Sequence, residues 1–359
     1  MDYLEGSVKI KASKKELVPT KKDEVFLNEF KKFDRDINIL LLNSLGWRGK
    51  TCLDLMAASG IRGLRISKET KCFKNIILND LKKSAAKGIK KNIQLNKVKN
   101  CKVFNLDAYE MLNDYNKGLD YIDIDPFGSP IYFIADAMKK LSRNGILGIC
   151  ATDTGALSGT FPSTCRRRYH SNSYLSEFYY ESGIRILVKE CINLASAYDV
   201  ALEPVFCHAT RHYFRAYFRK VKGAKKADEL IKKIDYLSYC PNCLHRETGI
   251  ARKCPSGCID NLVLIGPLFT GKLYDEKLAN KMKSFGKHED FFEKILEELK
   301  ADVPWFYTTD SVCKKYRLGF EPKLKGLGYY RTHINPKGFK TKDDIKEISE
   351  KFKKQQSFK

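Results

Sequence analysis

The chain has 359 residues, 43% of them hydrophobic, which is enough for about two domains with buried cores. This composition excludes a disordered chain and a disulfide-stapled miniprotein. Lys and Arg number 66 against 43 for Asp and Glu, and the net charge of +23 makes a nucleic acid the expected partner.

The sequence gives no sign of a membrane or secreted protein. No apolar run is long enough to span a bilayer, and the N-terminal stretch MDYLEGSVKIKASKK lacks the apolar centre of a signal peptide. We therefore expect a cytoplasmic protein with no membrane partner and no obligate protein partner. The 12 cysteines are expected to be reduced in that compartment.

The predicted elements begin with an amphipathic helix over residues 31–45, which carries Arg35 near its start. From Thr51 onward, short apolar segments alternate with helical segments rich in Lys. The five strand-like segments read TCLDLMA, NIILND, CKVFN, LDYIDID and GILGICATD. This alternation predicts an α/β fold built on a mostly parallel, doubly wound sheet of the Rossmann type.

Acidic residues follow the first four predicted strands, namely Asp54, Asp80, Asp107 and Asp125. Ligands of doubly wound sheets bind at the carboxyl ends of the strands, and buried acids are costly without partners. As a set, the four acids favour a ligand with hydroxyl and amino groups. The alternative is that each acid caps the helix that follows it.

S-adenosylmethionine fits these strand ends better than a dinucleotide. The turn at residues 58–63, ASGIRG, lacks the G-x-G-x-x-G spacing of a dinucleotide site. Asp80 would bind the ribose hydroxyls of S-adenosylmethionine, and Asp107 would accept a hydrogen bond from the adenine amine. Arg35 and Arg62 would pair with its carboxylate.

The fourth strand ends in Asp125-Pro126-Phe127-Gly128. Methyl transfer from a sulfonium is an in-line displacement, so the enzyme has to place a nucleophilic lone pair behind the methyl carbon. Asp125 would hold an exocyclic amine there and stabilise the charge that grows on its nitrogen, while Phe127 would stack on the base. The alternative is a plain Asp-Pro turn with Phe127 in the core.

Four cysteines form the pattern C-x2-C-x10-C-x3-C at Cys240, Cys243, Cys254 and Cys258. This spacing predicts a zinc ribbon over residues 236–270 that holds a structural Zn²⁺. Redox disulfides are the alternative, and His245 is a less favoured ligand. A closed four-sulfur site leaves no position for chemistry.

A basic segment follows the fifth predicted strand, where Arg166, Arg167 and Arg168 precede Tyr169. Arginine suits phosphate and tyrosine can stack on a base, so we expect an RNA-contacting loop. A solvated surface run is the alternative. Apolar stripes beyond the cysteines, and a capping box of Thr341 with Asp344 before the last helix, predict a second, smaller α+β domain. The predicted domains are 1–226 and 227–359.

The chain resembles the tRNA guanine N2-methyltransferase family, which makes N2-methylguanosine and N2,N2-dimethylguanosine at position 26 of tRNA. The resemblance rests on an ordered series of motifs: Glu5-Gly6, FDRD (33–36), ASGIRGLR (58–65), Asp80, DPFGSP (125–130), ATD with GALSGTFPSTCRRRY (151–169) and GYYRTHINP (328–336). Two departures are VFLNEF at residues 25–30, where the family usually has an aromatic, Asn and Pro, and His170, where Gly is more usual.

This resemblance implies a class I methyltransferase that moves one or two methyl groups from S-adenosylmethionine to N2 of guanine 26 in tRNA. Other hypotheses remain: an amino-methyltransferase of another RNA, DNA or protein, or a non-catalytic RNA-binding protein. By resemblance, Asp125 and Phe127 act on the guanine, and the cofactor is bound by Arg35, Arg62, Asp80, Asp107 and the backbone of Ala108.

Overall fold

The computed structural model describes residues 2–12, 27–115, 117–259 and 262–357. Its strands are β1 (Asp2–Glu5), β2 (Val8–Lys11), β3 (Lys50–Asp54), β4 (Phe73–Asn79), β5 (Cys101–Phe104), β6 (Leu119–Ile124), β7 (Leu141–Ala151), β8 (Val200–Thr210), β9 (Tyr213–Lys222), β10 (Ile234–Tyr239), β11 (Arg246–Thr248), β12 (Val263–Phe269), β13 (Tyr307–Thr308), β14 (Tyr330–Arg331) and β15 (Gly338–Lys340).

The helices alternate with these strands, and a short 3₁₀ helix at Glu29–Lys31 precedes the first of them. They are α1 (Lys32–Ser44), α2 (Ile61–Glu69), α3 (Lys83–Leu95), α4 (Ala108–Asp114), α5 (Ile131–Lys140), α6 (Thr154–Leu157), α7 (Pro162–Tyr169), α8 (Tyr179–Ser196), α9 (Ala224–Ile231), α10 (Glu276–Lys283), α11 (Glu289–Ala301), α12 (Thr309–Tyr316) and α13 (Ile345–Ser357).

A seven-stranded sheet in the order β5-β4-β3-β6-β7-β9-β8 carries the site. Strand β3 pairs in parallel with β4 and β6, β4 with β5, and β6 with β7. The central strands β3, β6 and β7 are mostly buried, because helices cover parallel sheets on both faces. The chain order reverses between β3 and β6, which opens a crevice outside their carboxyl ends. The doubly wound sheet predicted from the sequence is confirmed.

An N-terminal hairpin of β1 and β2 packs on the helices that follow β3 and β4. Val8 and Ile10 are fully buried against Ile61 and Leu64 of α2. The side chain of Asn96, at the end of α3, accepts a hydrogen bond from the backbone nitrogen of Lys9 at 2.9 Å and donates to its carbonyl oxygen at 2.6 Å. The Asn96 side chain thus makes the backbone hydrogen bonds that a neighbouring strand would otherwise make at this edge of the hairpin.

The chain divides into two compact units that are discontinuous in sequence. The second unit contains an antiparallel sheet in the order β11-β10-β12 and a smaller one in the order β13-β15-β14. Its helices α10 and α11 pack together. The residues of the units are Met1–Thr152, Val200–Glu203 and Tyr217–Lys222 for the first, and Asp153–Asp199, Pro204–Ala216 and Gly223–Lys359 for the second. The predicted domain boundary at residue 226 stays a prediction.

Candidate functional site

Acids stand at the carboxyl ends of the central strands, as the sequence predicts. Strand β3 ends in the buried Asp54, and the parallel register places it opposite Asp123 of β6. Asp80 follows β4, Asp107 precedes α4, and Asp125 follows β6. Since β3, β4, β5 and β6 are neighbouring parallel strands, these acids lie along one edge of the sheet.

Asp80 joins the loops that follow β3 and β4. Its Oδ2 accepts a hydrogen bond from the backbone nitrogen of Ala58, and its Oδ1 accepts one from that of Lys82, each at 2.9 Å. The first of these loops turns sharply, with Gly60 at a φ of 79°, where glycine is favoured. The N-cap of α3 is Lys82, so Asp80 does not cap that helix. Its fixed carboxylate retains lone pairs that can accept from ligand hydroxyls.

Asp107, in contrast, is a helix cap. Its Oδ1 accepts from the backbone nitrogen of Tyr109 at 2.8 Å, and the carboxylate of Glu110 accepts from the backbone nitrogen of Asp107 at 3.1 Å. This capping box explains why α4 begins at Ala108, which is buried. The capping alternative is therefore realised at Asp107, and its role toward adenine stays a prediction.

Arg35 lies on α1 and is held by a carboxylate of the N-terminal hairpin. Its Nε and Nη2 donate to the two oxygens of Glu5 at 2.7 and 2.6 Å, and Nη2 also donates to the carbonyl oxygen of Asn28 at 3.1 Å. Arg65 binds the same Glu5 at 2.7 Å. A ligand carboxylate at Arg35 would have to share this guanidinium with Glu5, and that contact stays a prediction.

Arg62 lies on α2 at the centre of a cluster of carboxylates. Its Nη2 lies 2.6 Å from Oδ2 of Asp34 and 2.9 Å from Oδ2 of Asp125, and its Nε lies 3.2 Å from Oδ1 of Asp123. The Arg62 side chain is only 7% exposed. In the structure, Arg62 thus contacts Asp125, the predicted catalytic acid, whereas the sequence suggested that Arg62 binds the cofactor.

Phe127 stands next to Asp125 in a loop that is fixed to the end of β7. The backbone nitrogen of Gly128 donates to Oγ1 of Thr152 at 2.7 Å, and the backbone nitrogen of Thr152 donates to the carbonyl oxygen of Gly128 at 2.9 Å. Gly128 has a φ of 104°, which favours glycine. Phe127 is 49% exposed, so the alternative that places its ring in the core is wrong. A half-exposed ring beside a carboxylate can stack on a planar base.

Sequence reasoning missed Lys31, which contacts Oδ1 of Asp125. It also missed Asp34 and Asp123 as partners of Arg62. A signal existed for Asp123, because residues two apart on a strand share a face and Asp123 precedes Asp125 by two. Lys31 offered no such signal, since it lies 94 residues from Asp125 in the sequence.

The four predicted cysteines form the one metal-type cluster found among the described residues. The Sγ atoms of Cys240, Cys243, Cys254 and Cys258 all lie within 4.8 Å of one another. Tetrahedral Zn–S bonds of about 2.3 Å need sulfurs roughly this close, so the set fits a structural zinc ion. The first pair lies between β10 and β11, and the second pair precedes β12. His245 faces Glu247 at 3.4 Å and is not part of the cluster.

The basic segment is a helix, so the expectation of a loop is wrong. It forms the second half of α7, which Pro162 begins and His170 ends in a left-handed conformation. Arg166 and Arg167 are exposed. Tyr169 is fully buried and donates to the carboxylate of Asp153 at 2.7 Å, so its ring cannot stack on a base in this structure. Arg168 lies 3.2 Å from the same carboxylate.

The central sheet is mostly parallel and reverses its strand order between β3 and β6. Acids lie along its carboxyl edge, and an exposed ring stands beside Asp125. Together these features define a Rossmann-like methyltransferase. A family model described as N2,N2-dimethylguanosine tRNA methyltransferase matches residues 6–353. The chain therefore belongs to this family. The resemblance inferred from the sequence is confirmed.

Several known proteins are similar over nearly the whole chain. The tRNA (guanine(26)-N(2))-dimethyltransferase of Methanocaldococcus jannaschii is 36% identical, covering 96% of each chain. The tRNA (guanine(26)-N(2)/guanine(27)-N(2))-dimethyltransferase of Aquifex aeolicus is 35% identical, covering 91% of this chain and 89% of that protein. The structure of Trm1 from Pyrococcus horikoshii with S-adenosyl-L-methionine has a TM-score of 0.84 at 30% identity, covering 98% and 99% of the two chains.

Among the residues described, no helix is both long and apolar enough to cross a membrane.

Proposed function

We propose that this protein transfers one or two methyl groups from S-adenosylmethionine to the exocyclic N2 of guanine 26 in tRNA. The observation that carries the proposal is the family match over residues 6–353, joined to an intact strand-end site. The relatives from Methanobrevibacter smithii and Methanocaldococcus jannaschii are named tRNA (guanine(26)-N(2))-dimethyltransferases, which supports guanine 26 as the target. The net charge of +23 suits tRNA as the partner.

The donor supplies an electrophilic methyl group on a sulfonium when it is bound. On the protein's side, Asp80 would accept hydrogen bonds from ribose hydroxyls, and its two backbone contacts already fix its orientation. Asp107 and the backbone of Ala108 would contact the adenine. Arg35 and Arg62 would bind the carboxylate of the donor, in addition to the acids that they contact in this structure.

Asp125 and Phe127 are the proposed catalytic residues. Asp125 is 15% exposed at its side chain, so it is accessible from the crevice while cations hold it. Its carboxylate would accept a hydrogen bond from the guanine amine and stabilise the positive charge that develops on nitrogen. Phe127 would hold the flipped base by stacking.

The remaining parts of the proposal concern tRNA binding. Arg166 and Arg167 are exposed and would contact phosphate; Arg168 and Tyr169 would support this helix through Asp153. We further propose a methyltransferase domain over 1–226 and a tRNA-binding domain over 227–359, where a structural zinc would organise the ribbon. The protein would act in the cytoplasm, where tRNA is available.

The test uses the full chain, the methyl donor and four transcripts of one tRNA. The transcripts carry guanine at position 26 only, at 27 only, at both or at neither. We expect N2-methylguanosine or N2,N2-dimethylguanosine at position 26, read by nuclease mapping and mass spectrometry of the nucleosides. Methylated adenosine, or full methylation of the transcript with neither guanine, would overturn the proposal.

Guanine 27 is a second candidate target, because the Aquifex aeolicus relative carries both positions in its name. That relative is 35% identical to this chain, as is the Methanobrevibacter smithii relative, which is named for guanine 26 alone. The transcript with guanine only at position 27 decides between them. Methylation of that transcript would show the broader specificity.

A further inference from the structure

We propose that Lys31 is a positioning residue for methyl transfer. Lys31 and Arg62 each contact one carboxylate oxygen of Asp125, and together they keep that carboxylate ionised and fix its orientation. The inference rests on the proposed function, since it assigns a role around the proposed catalytic acid. It adds a residue that the sequence motifs do not include.

Lys31 reaches Asp125 from a separate part of the chain. It is the last residue of the 3₁₀ helix, whose start is capped by the side chain of Asn28 accepting from the backbone nitrogen of Phe30 at 2.9 Å. Its Nζ contacts Oδ1 of Asp125 and lies 3.4 Å from Sγ of Cys150 on β7. The ammonium is thus directed to the end of β6 and to the neighbouring strand of the sheet.

The burial of Lys31 indicates a specific purpose for its charge. Its side chain is only 12% exposed, and a buried ammonium is costly unless a carboxylate compensates it. Burial alone would lower the pKa of Lys31, but the carboxylate of Asp125 raises it above its ordinary value. Lys31 therefore stays a cation throughout the physiological pH range.

Two cations therefore contact Asp125, one at each of its carboxylate oxygens. Lys31 holds Oδ1, while Nη2 of Arg62 holds Oδ2 at 2.9 Å. The charged and titratable groups near this pair, among the described residues, include Asp34 on α1, Arg62 on α2, Asp123 on β6 and the thiol of Cys150 on β7. Two fixed contacts leave the carboxylate little freedom to rotate, so its remaining lone pairs point in a defined direction.

These two contacts suit a carboxylate that has to accept a hydrogen bond from the amine without taking its proton before the methyl group is transferred. Two adjacent cations lower the affinity of a carboxylate for protons, so Asp125 keeps its negative charge while positive charge grows on the nucleophile. The transfer forms the nitrogen–carbon bond, breaks the carbon–sulfur bond with its electron pair left on sulfur, and releases one amine proton. Asp125 stabilises the charge during transfer, and the proton then leaves to water.

Three variants of the full-length protein test the inference. Lys31→Met removes the charge with little change in length, Lys31→Arg retains it, and Lys32→Met is the matched control. Lys32 is the next residue, is 51% exposed at its side chain and pairs with Asp36, not with Asp125. The measurements are kcat and KM for tRNA from pH 5.5 to 9, donor affinity by calorimetry, and the thermal unfolding temperature.

We expect Lys31→Met to lower kcat about 100-fold, the size of effect that a misplacement of 1 Å can have. The acid limb of its pH–rate profile should move to higher pH, because Asp125 then holds its proton more tightly. Donor affinity should change little. Lys31→Arg should restore most of kcat and the normal acid limb, and Lys32→Met should match the wild type.

A Lys31→Met protein with the wild-type kcat and acid limb overturns the inference while leaving the proposed function intact. Equal losses in Lys31→Met and Lys31→Arg, with an unmoved acid limb and a lower unfolding temperature, overturn it too, since they indicate a purely structural role. The carboxyl ¹³C signal of Asp125, titrated in wild type and Lys31→Met, is independent of turnover. That signal should titrate at higher pH in the variant, and an unchanged titration also overturns the inference even if the wild type methylates no guanine.

Discussion

At the scale of single residues, the site depends on how one carboxylate is held. Asp125 meets Lys31 and Arg62, and Arg62 is itself shared with Asp34 and Asp123. Each acid in this cluster has a cationic partner, which offsets the cost of burying it. The same partners fix Asp125 at the end of β6, on the carboxyl edge of the sheet.

Changing Asp125 to Asn should separate donor binding from methyl transfer. The amide keeps the size of the side chain but loses the charge that stabilises the nitrogen, so we expect kcat to fall by about 100- to 1000-fold. Donor affinity by calorimetry should stay within a few-fold of the wild type. Asp136→Asn, on α5 and paired with Lys139 at the surface, is the control. Unchanged turnover of Asp125→Asn would remove this acid from the mechanism.

The sequence revealed the acids at the strand ends because they follow a regular apolar pattern. It could not reveal their partners, because an ion pair between Lys31 and Asp125 joins residues 94 positions apart. Arg35 and Arg62 illustrate the same limit. Their place in motifs suggested ligand binding, whereas Glu5 and Asp34 contact them directly in the structure.

At the scale of elements, a buried network of charges joins α8, α11 and β15 in the second unit. Glu181 of α8 accepts from Lys340 of β15 at 2.8 Å, and Lys340 lies 3.4 Å from Glu298 of α11. Glu298 also contacts Nδ1 of His333 at 2.6 Å and accepts from Thr332 at 2.9 Å. All five side chains are buried, so the network links these elements through buried ion pairs and hydrogen bonds.

This network predicts a loss of stability in acid. Burial alone would raise the pKa of Glu298, but His333 and Lys340 lower it to about 2 from the ordinary 4.5. A carboxyl with a lowered pKa stabilises the fold above its unfolded value, and this contribution is lost as the pH falls from 4.5 toward 2. Wild type should therefore lose stability steeply in this window.

Glu298→Gln tests that prediction by urea unfolding at several pH values. The variant should be about 3 to 5 kcal/mol less stable at pH 7, because the buried Lys340 loses one of its carboxylate partners and the buried His333 loses the carboxylate that it contacts. It should also show a flatter pH dependence below pH 4.5. Glu293→Gln is the control on the same helix, since that side chain is 46% exposed. Parallel pH curves for wild type and Glu298→Gln would contradict the assignment.

Element ends were harder to predict than the elements themselves. The capping box before α13 was predicted at Thr341 with Asp344, and this is wrong. The box consists of Asp344 and Glu347: the backbone nitrogen of Glu347 donates to Asp344 at 3.0 Å, and that of Asp344 donates to Glu347 at 2.9 Å. Several Asp, Glu and Thr residues here satisfy the same pattern, and the backbone course selects one pair.

The departure at His170 has a clear structural reason. His170 ends α7 with a φ of 47°, a left-handed conformation that glycine adopts most easily. This explains why glycine is more usual at this position in the family. The departure at residues 25–30 falls partly outside the described residues. Within it, Asn28 caps the 3₁₀ helix that carries Lys31.

At the scale of the whole molecule, the chain passes between two compact units more than once. The sequence predicted the parallel sheet and the cysteine cluster because both have local signals: alternating elements and fixed spacings. It could not show that segments within residues 200–222 belong to different units, because contacts between distant segments decide this. The zinc ribbon belongs wholly to the second unit.

Removal of the metal should therefore weaken the second unit. Cys243→Ser should reduce zinc from about one ion per chain to almost none and lower the urea midpoint, because the binding energy of a structural zinc is folding energy. Metal content by mass spectrometry and unfolding by fluorescence are the measurements. Cys313→Ser is the matched control, since Cys313 is outside the cluster and in the same unit. Full zinc content in Cys243→Ser would refute the ribbon.

The hairpin at the start of the chain has a practical consequence for anyone who trims it. Glu5 is bound by both Arg35 and Arg65, and Asn96 binds the backbone of Lys9. Deleting the first dozen residues would remove the carboxylate that Arg35 and Arg65 share and uncover the apolar flank of α2. A shortened version should be less stable and more prone to aggregate, so purification tags are better joined at the far end of the polypeptide.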